Sequence, residues 1–203
     1  MNKLLSLINK LIILFLIGFV VYEVVFLSSS MSFTKLLTVL CIIPIVVLPY
    51  ILEKIVKCRI SETLKLIYYS FTVISLVLGS IMELYYKIWW FDLFVHFLSG
   101  LFTAFVSLII LKKKDLIKKE NLLFNIIFIL AITLTIASFW EFLEFFSDRL
   151  FGGDSQWVIK TGVDDTMTDM LIAFLGGIIF SIYFFIRMKM DSSKLIKDLK
   201  KVF

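Results

Sequence analysis

Six apolar runs divide this chain: Leu11 to Leu27, Leu36 to Leu52, Leu66 to Tyr86, Phe91 to Leu111, Leu122 to Phe146 and Thr166 to Ile186. Each is near the length of about 20 residues that crosses a hydrocarbon core as a helix. One soluble core cannot hide so much: of 203 residues, 61% are hydrophobic and only 18% charged, well beyond ordinary globular usage. In lipid the backbone must satisfy its own hydrogen bonds, and a helix does so within one segment. The expected fold is therefore all-α, a polytopic membrane protein with six transmembrane helices. No repeat of clear period and no low-complexity linker interrupts it, so residues 1–203 are read as a single integral membrane domain.

The basic residues give an independent reading of topology, because cytoplasmic loops collect Lys and Arg. With both termini cytoplasmic, 17 basic residues fall inside, and four, Lys35, Lys87, Arg149 and Lys160, fall outside. The formal net charge of +5 is accounted for by these short loops, so no nucleic-acid partner is expected. The basic tail from Arg187 to Lys201 is placed to meet anionic headgroups or simply water. Lys3 and Lys10 ahead of Leu11 to Tyr22, followed by Ser28, Ser29 and Ser30, also have the layout of a cleaved signal peptide. The apolar stretch is long for a signal core and no clear small-x-small site follows, so it is read as a retained span. Cleavage would leave five helices and the same polar site.

Other features have structural readings. Cys41 lies within the second span and Cys58 in a cytoplasmic loop, a placement that does not call for a disulfide. Pro44 and Pro49 should bend the second helix by removing backbone bonds. Tyr85, Tyr86, Trp89 and Trp90 sit where an interfacial aromatic belt belongs. Glu23 and Glu83, near outer helix ends, are expected to reach water.

The chemistry lies in the acids inside the last three spans. At 3.6 residues per turn, Asp92, His96, Ser99 and Thr103 share one stripe of the fourth helix. Glu141, Glu144 and Asp148 form a second stripe, and Asp165, Asp169 and Gly176 a third. All three fall in the outer half of the membrane: His96 lies about 9 Å below Trp90 at a rise of 1.5 Å per residue, and Glu141 about as deep below Asp148. Facing one another hides them from lipid. Gly100, Gly176 and Gly177 would let the backbones approach, as small residues do in membrane bundles.

Charged groups inside hydrocarbon are expensive and usually functional. Seven carboxylates, counting Asp164, cannot all stay ionised around one imidazole, because like charges and burial both oppose it. Protons, a bound cation, Arg149 or Lys160, or a cationic substrate must compensate. A His with Asp and Glu ligands suits a divalent metal ion such as zinc or manganese, which makes Asp92, His96, Glu141, Glu144 and Asp169 candidate ligands. Asp92, His96, Glu141 and Glu144 also suit catalytic acid and base work. Asp148, Gln156, Trp157, Asp165 and Asp169 are candidate substrate contacts. Plainer roles compete with these: Asp148, Asp154 and Asp164 as solvated loop residues, and Asp165 as the acid complementing a helix N-terminus.

The stretches WWFDLFVHFLSG at Trp89 to Gly100, WEFLEFFSDRLFGGDSQ at Trp140 to Gln156, and TGVDDTMTDMLIAFLGG at Thr161 to Gly177 resemble the YjdF-like family of bacterial inner-membrane proteins. The likeness covers the last four helices and implies a multi-pass protein of the bacterial cytoplasmic membrane. The order of an Asp and His pair, a Glu-rich helix end and an Asp-led last helix is more distantly similar to VanZ-like proteins, some of them linked to glycopeptide resistance. Those often show Asp-Lys before the His region, where this chain has Asp92-Leu93.

The leading expectation is a polar pocket open to the extracytoplasmic face that binds a metal or cationic group and acts on a lipid-linked or envelope substrate. A proton- or cation-coupled transporter is the alternative, and would need a polar path to the cytoplasm. Below Thr103 the fourth helix is largely apolar, and the inner half of the fifth offers mainly Asn125, Thr133 and Thr135. A noncatalytic binding or assembly protein is the third reading, one that needs the pocket's charge rather than its histidine.

Overall fold

A computed structural model describes residues 2–57 and 59–200; Cys58 lies outside the described residues. The chain is all-α, and six of its helices are long and apolar enough to cross a membrane: Lys3–Ser30, Phe33–Ile55, Glu62–Ile81, Phe91–Lys113, Lys119–Phe151 and Asp164–Ser193. In order, the α-helices are α1 (Asn2–Tyr22), α2 (Phe33–Val56), α3 (Glu62–Thr72), α4 (Leu84–Lys87), α5 (Phe91–Lys113), α6 (Leu122–Phe151), α7 (Val158–Thr161) and α8 (Asp164–Lys200). Wide π-helical turns extend α1 through Glu23–Leu27 and α3 through Val73–Ile81. Large apolar side chains such as Leu14, Phe26, Leu123 and Ile182 are exposed along the spans, a surface that water would not tolerate and lipid requires.

The helices gather into two compact units, residues up to Phe91 and residues from Asp92 onward. In the first, α1 packs on α2 and α3 around Leu16, Val20, Val39, Ile42, Val46 and Val77. Ser32 and Ser61 cap α2 and α3 by accepting from the backbone N–H of Lys35 and Leu64, which satisfies a donor the first helical turn leaves over. Pro49 has no N–H to offer the carbonyl of Ile45, four residues earlier. The Tyr68 hydroxyl donates to that oxygen at 2.8 Å, so the proline is accommodated inside α2 without an orphaned acceptor.

The same unit holds a polar knot built around a buried lysine. Buried Lys65 lies 3.0 Å from Glu53 and 3.5 Å from Glu62, with its ammonium 4.9 Å from the Tyr50 ring centre. Buried Asn9 donates to both the backbone oxygen and the carboxylate of Glu62, at 2.9 Å each. One buried cation is thus shared by two acids on two helices. Glu23 departs from the expectation of reaching water, since it is buried where α1 passes into its π-helical turns. Glu83 is exposed and takes Lys35 and Lys87 at 3.4 Å each; the Lys35 hydrogen bond and charge, then those of Lys87, hold its carboxyl below the usual range. That contribution is present above the ordinary glutamate range and fades as pH falls through the lowered value.

In the second unit α6 packs along α8, and the core of Ala104, Leu108, Leu111, Ile129, Phe184 and Met188 is fully enclosed. The backbone of α8 leaves helical geometry at Asp191, and beyond it Leu195 and Leu199 return to that core. α5 and α8 touch backbone to backbone. A methyl added to Gly100 would sit 1.9 Å from the carbonyl oxygen of Ala173, and one on Gly176 would sit 2.6 Å from that of Phe97. Gly18 of α1, by contrast, has nothing within 4 Å. Gly100→Ala is therefore expected to cost about 1–3 kcal/mol through overpacking and to lower the thermal denaturation midpoint in detergent, while Gly18→Ala leaves it unchanged or raises it slightly. Equal midpoints for the two variants would mean that α5 and α8 have room to spare.

Candidate functional site

Asp92 stands in the first turn of α5 and His96 one turn later, so helix periodicity places both on the same face. Gly100, one turn further, brings that face against α8, where Asp169 lies one turn before Ala173. The result is a three-residue group. His96 Nε2 is 3.5 Å from Asp92 Oδ1 and 3.5 Å from Asp169 Oδ2, and one ligating atom from each residue lies within 4.8 Å of the others.

Those two separations are long for a strong hydrogen bond but suit ligands around an ion. Two donor atoms each about 2.1 Å from a tetrahedral metal are about 3.4 Å apart. Asp169, 2% exposed, keeps a second oxygen, Oδ1, sealed from solvent with no hydrogen-bond partner. Glu141, 3% exposed, likewise has Oε1 without one. A buried carboxylate oxygen left unpaired is costly, and a bound cation would satisfy it. The donor set, imidazole and carboxylate, fits zinc or manganese.

The remaining candidates surround this group in different ways. Glu141 is on the buried stripe of α6 that also carries Ala137, Thr133, Ile129 and Asn125. The Gln156 side-chain amide donates to its backbone oxygen at 3.1 Å and to its Oε2 at 3.2 Å. Glu144 is half-buried and accepts from the Trp140 indole at 2.8 Å. Both glutamates feel the charges of His96 and Asp92, as does Asp165 in the first turn of α8. Neither is among the three residues whose ligating atoms converge.

Asp148 is occupied by the loop. Its two carboxylate oxygens accept from the backbone N–H groups of Ser155, at 2.8 Å, and Gln156, at 3.1 Å, just past the Gly152 turn with its φ of +74°. This clamp folds the loop back so that Gln156 reaches inward. Trp157 follows in a left-handed conformation, φ +48°, with the Lys160 ammonium 5.0 Å from its ring centre.

Residues 8–190 match the family model described as Predicted membrane protein (DUF2238). The chain belongs to this family. The matched region takes in every residue of the candidate site. A relative from Thermotoga maritima, named only as an uncharacterized protein, is 30% identical over 129 residues, covering 63% of this chain and 65% of that protein. No solved structure matches the chain.

Two supporting contacts were not read from the sequence as parts of the site. Trp140 precedes Glu144 by four residues, the spacing that puts an indole beside a carboxylate on one helix face, and that signal is present in WEFLE. The bracing of Glu141 by Gln156 spans fifteen residues across a loop, and no local periodicity reports it. Gln156→Leu should strip both of these hydrogen bonds from Glu141 and cost about 1–3 kcal/mol, read as a lower denaturation midpoint. An unshifted midpoint would mean that the loop is held without this contact.

Proposed function

We propose that this family member is a multi-pass protein of the bacterial cytoplasmic membrane that binds a divalent metal ion between its last three spans, in the extracytoplasmic leaflet. There it acts on a lipid-linked or envelope substrate. The observation that carries this reading is the spacing of His96 Nε2 at 3.5 Å from an oxygen of each of Asp92 and Asp169, together with the orphaned, buried Oδ1 of Asp169. Asp92, His96 and Asp169 are the proposed ligands, and Glu141, outside that converging trio, lends negative charge beside it. Sidedness rests on the 17 to four division of basic residues.

A divalent ion held there would polarise a substrate oxygen as a Lewis acid. The chain's own part is to exclude water, fix the ligands and offer acid and base groups beside them. Glu144, half-buried and steadied by Trp140, is the proposed proton carrier. Asp165 lies at the start of α8, where incoming substrate would pass.

Transport fits less well. A coupled ion would have to traverse the inner half of this unit, where Leu108, Ile129 and Phe184 are 2% exposed or less and pack into a dry core with Leu111 and Met188. A receptor that merely holds a cation would share the ligands, so metal content is the first quantity to measure.

The chain purified into nanodiscs and titrated with zinc or manganese should retain about one ion. His96→Ala and Asp169→Asn should each weaken binding by at least about tenfold, the range that even a supporting hydrogen bond to a metal ligand commands. Glu83→Gln, in the other unit, should bind like the parent. A parent that takes up no ion, or ligand variants that bind as it does, would remove the metal from this reading.

A further inference from the structure

The segment from Arg149 to Val163 has two faces. Inward, Gln156 is buried and fastened to Glu141. Outward, Val158, Ile159 and Val163 are 53%, 89% and 64% exposed, an apolar surface on a connection that lies between two membrane spans. Exposed apolar side chains on a short polar-backed turn belong in the headgroup and acyl boundary of a bilayer.

Two cations punctuate that surface, and neither is neutralised by protein. Asp148, Asp154, Asp164 and Asp165 are all close in sequence, yet no carboxylate is within ion-pair distance of Arg149 or Lys160 among the described residues; Lys35, Lys65 and Lys87 all have such partners. Each cation instead lies over a ring, Arg149 5.4 Å from the centre of Phe145 and Lys160 5.0 Å from that of Trp157. A ring face steadies a cation without consuming its hydrogen-bond donors. The Asp148 clamp brings the backbone of Gln156 to the residue that precedes Arg149, which draws the Trp157 and Lys160 turn back toward the end of α6. Trp157 holds a left-handed backbone, φ +48°, that a bulky residue adopts only under constraint, and its ring is the platform for Lys160.

We infer that this segment docks on the outer leaflet and that Arg149 and Lys160 receive the phosphate of a membrane lipid, bringing a phosphate-bearing lipid beside the acidic group to which Gln156 is fastened. This deepens the proposed function by naming its substrate class, and rests on that reading only in taking the Asp92, His96 and Asp169 group as the destination. Arg supplies a fork matched to phosphate oxygens and Lys a point charge. The apolar turn between them favours a phosphate attached to a lipid over one free in water.

The test is retention of phosphatidic acid against phosphatidylcholine by the detergent-purified full chain, read by native mass spectrometry. A basic residue at an anionic surface is worth about fivefold in affinity, so two give about thirtyfold. The parent should prefer phosphatidic acid by that order, and the double variant Arg149→Gln with Lys160→Gln should lose the preference. Exchanging the two cations, Arg149→Lys with Lys160→Arg, should keep most of it. Ile159→Asp should weaken retention with both cations in place. A double variant that retains phosphatidic acid as the parent does would overturn the inference, and so would displacement of the lipid by millimolar inorganic phosphate. Metal content measured on the same samples separates the two readings: lipid preference without metal sinks the metal site alone, and metal without lipid preference sinks this inference alone.

Discussion

The contact between α5 and α8 at Gly100, Ala173 and Gly176 sets the scale of everything above it. Two helices usually pack with axes 8–10 Å apart because side chains intervene. Here a carbonyl oxygen occupies the place where a methyl on Gly100 would be. His96 is one turn from Gly100, and Asp169 one turn from Ala173, so the closeness of the backbones is transmitted to an imidazole and a carboxylate 3.5 Å apart. A helix pair spaced by ordinary side chains would leave the same two residues too far apart to share an ion. The glycines carry no chemistry of their own, yet the chemistry depends on them.

α6 adds a different kind of constraint. Its Glu141 comes from the far end of a thirty-residue helix, and packing along α8 alone would not fix its carboxylate. Gln156 does so from outside the span, and Gln156 is held in turn by Asp148 through two adjoining backbone N–H groups. One acid, solvated in the simplest reading of the sequence, organises the loop that orients another. The arrangement turns one oxygen of Glu141 to the amide and leaves the second without a partner, as a group kept for a ligand would be.

The readability of these features follows the range of the interactions involved. The six spans are legible because hydrocarbon imposes length and apolarity on each helix separately. Asp92 with His96, and Glu141 with Glu144, are legible as shared faces because one helix's periodicity is enough. The meeting of Asp169 with His96 requires the helix contact, for which Gly100 and Gly176 give only a hint in the sequence. Gln156 on Glu141 and Asp148 on the loop are set by a turn whose path no period encodes. Lys54, Lys57, Arg59 and Lys65 look alike when counted for topology, and only the fold distinguishes Lys65, drawn inward between Glu53 and Glu62. Burial of Glu23 is hidden for the same reason, since a helix end facing water and one facing a neighbour have the same sequence.

The two units treat buried charge in opposite ways. In the first, an ammonium is set between two carboxylates on α2 and α3, with an amide from α1 on one of them. One ammonium shared by two carboxylates gives each acid a contact of opposite sign within the protein, where a buried charge left alone would be strongly destabilising. In the second, Asp92, Asp169, Glu141 and Glu144 have no lysine or arginine in ion-pair contact among the described residues, and His96 stands between Asp92 and Asp169. Arg149 and Lys160, the cations nearest in sequence to this cluster, are laid on aromatic rings instead of on these acids. A chain that pairs buried charges internally in one place has the means to pair them in another. Keeping the acids around His96 and the cations of the loop apart leaves each with capacity for an external partner of opposite sign, a cation for one and an anion for the other.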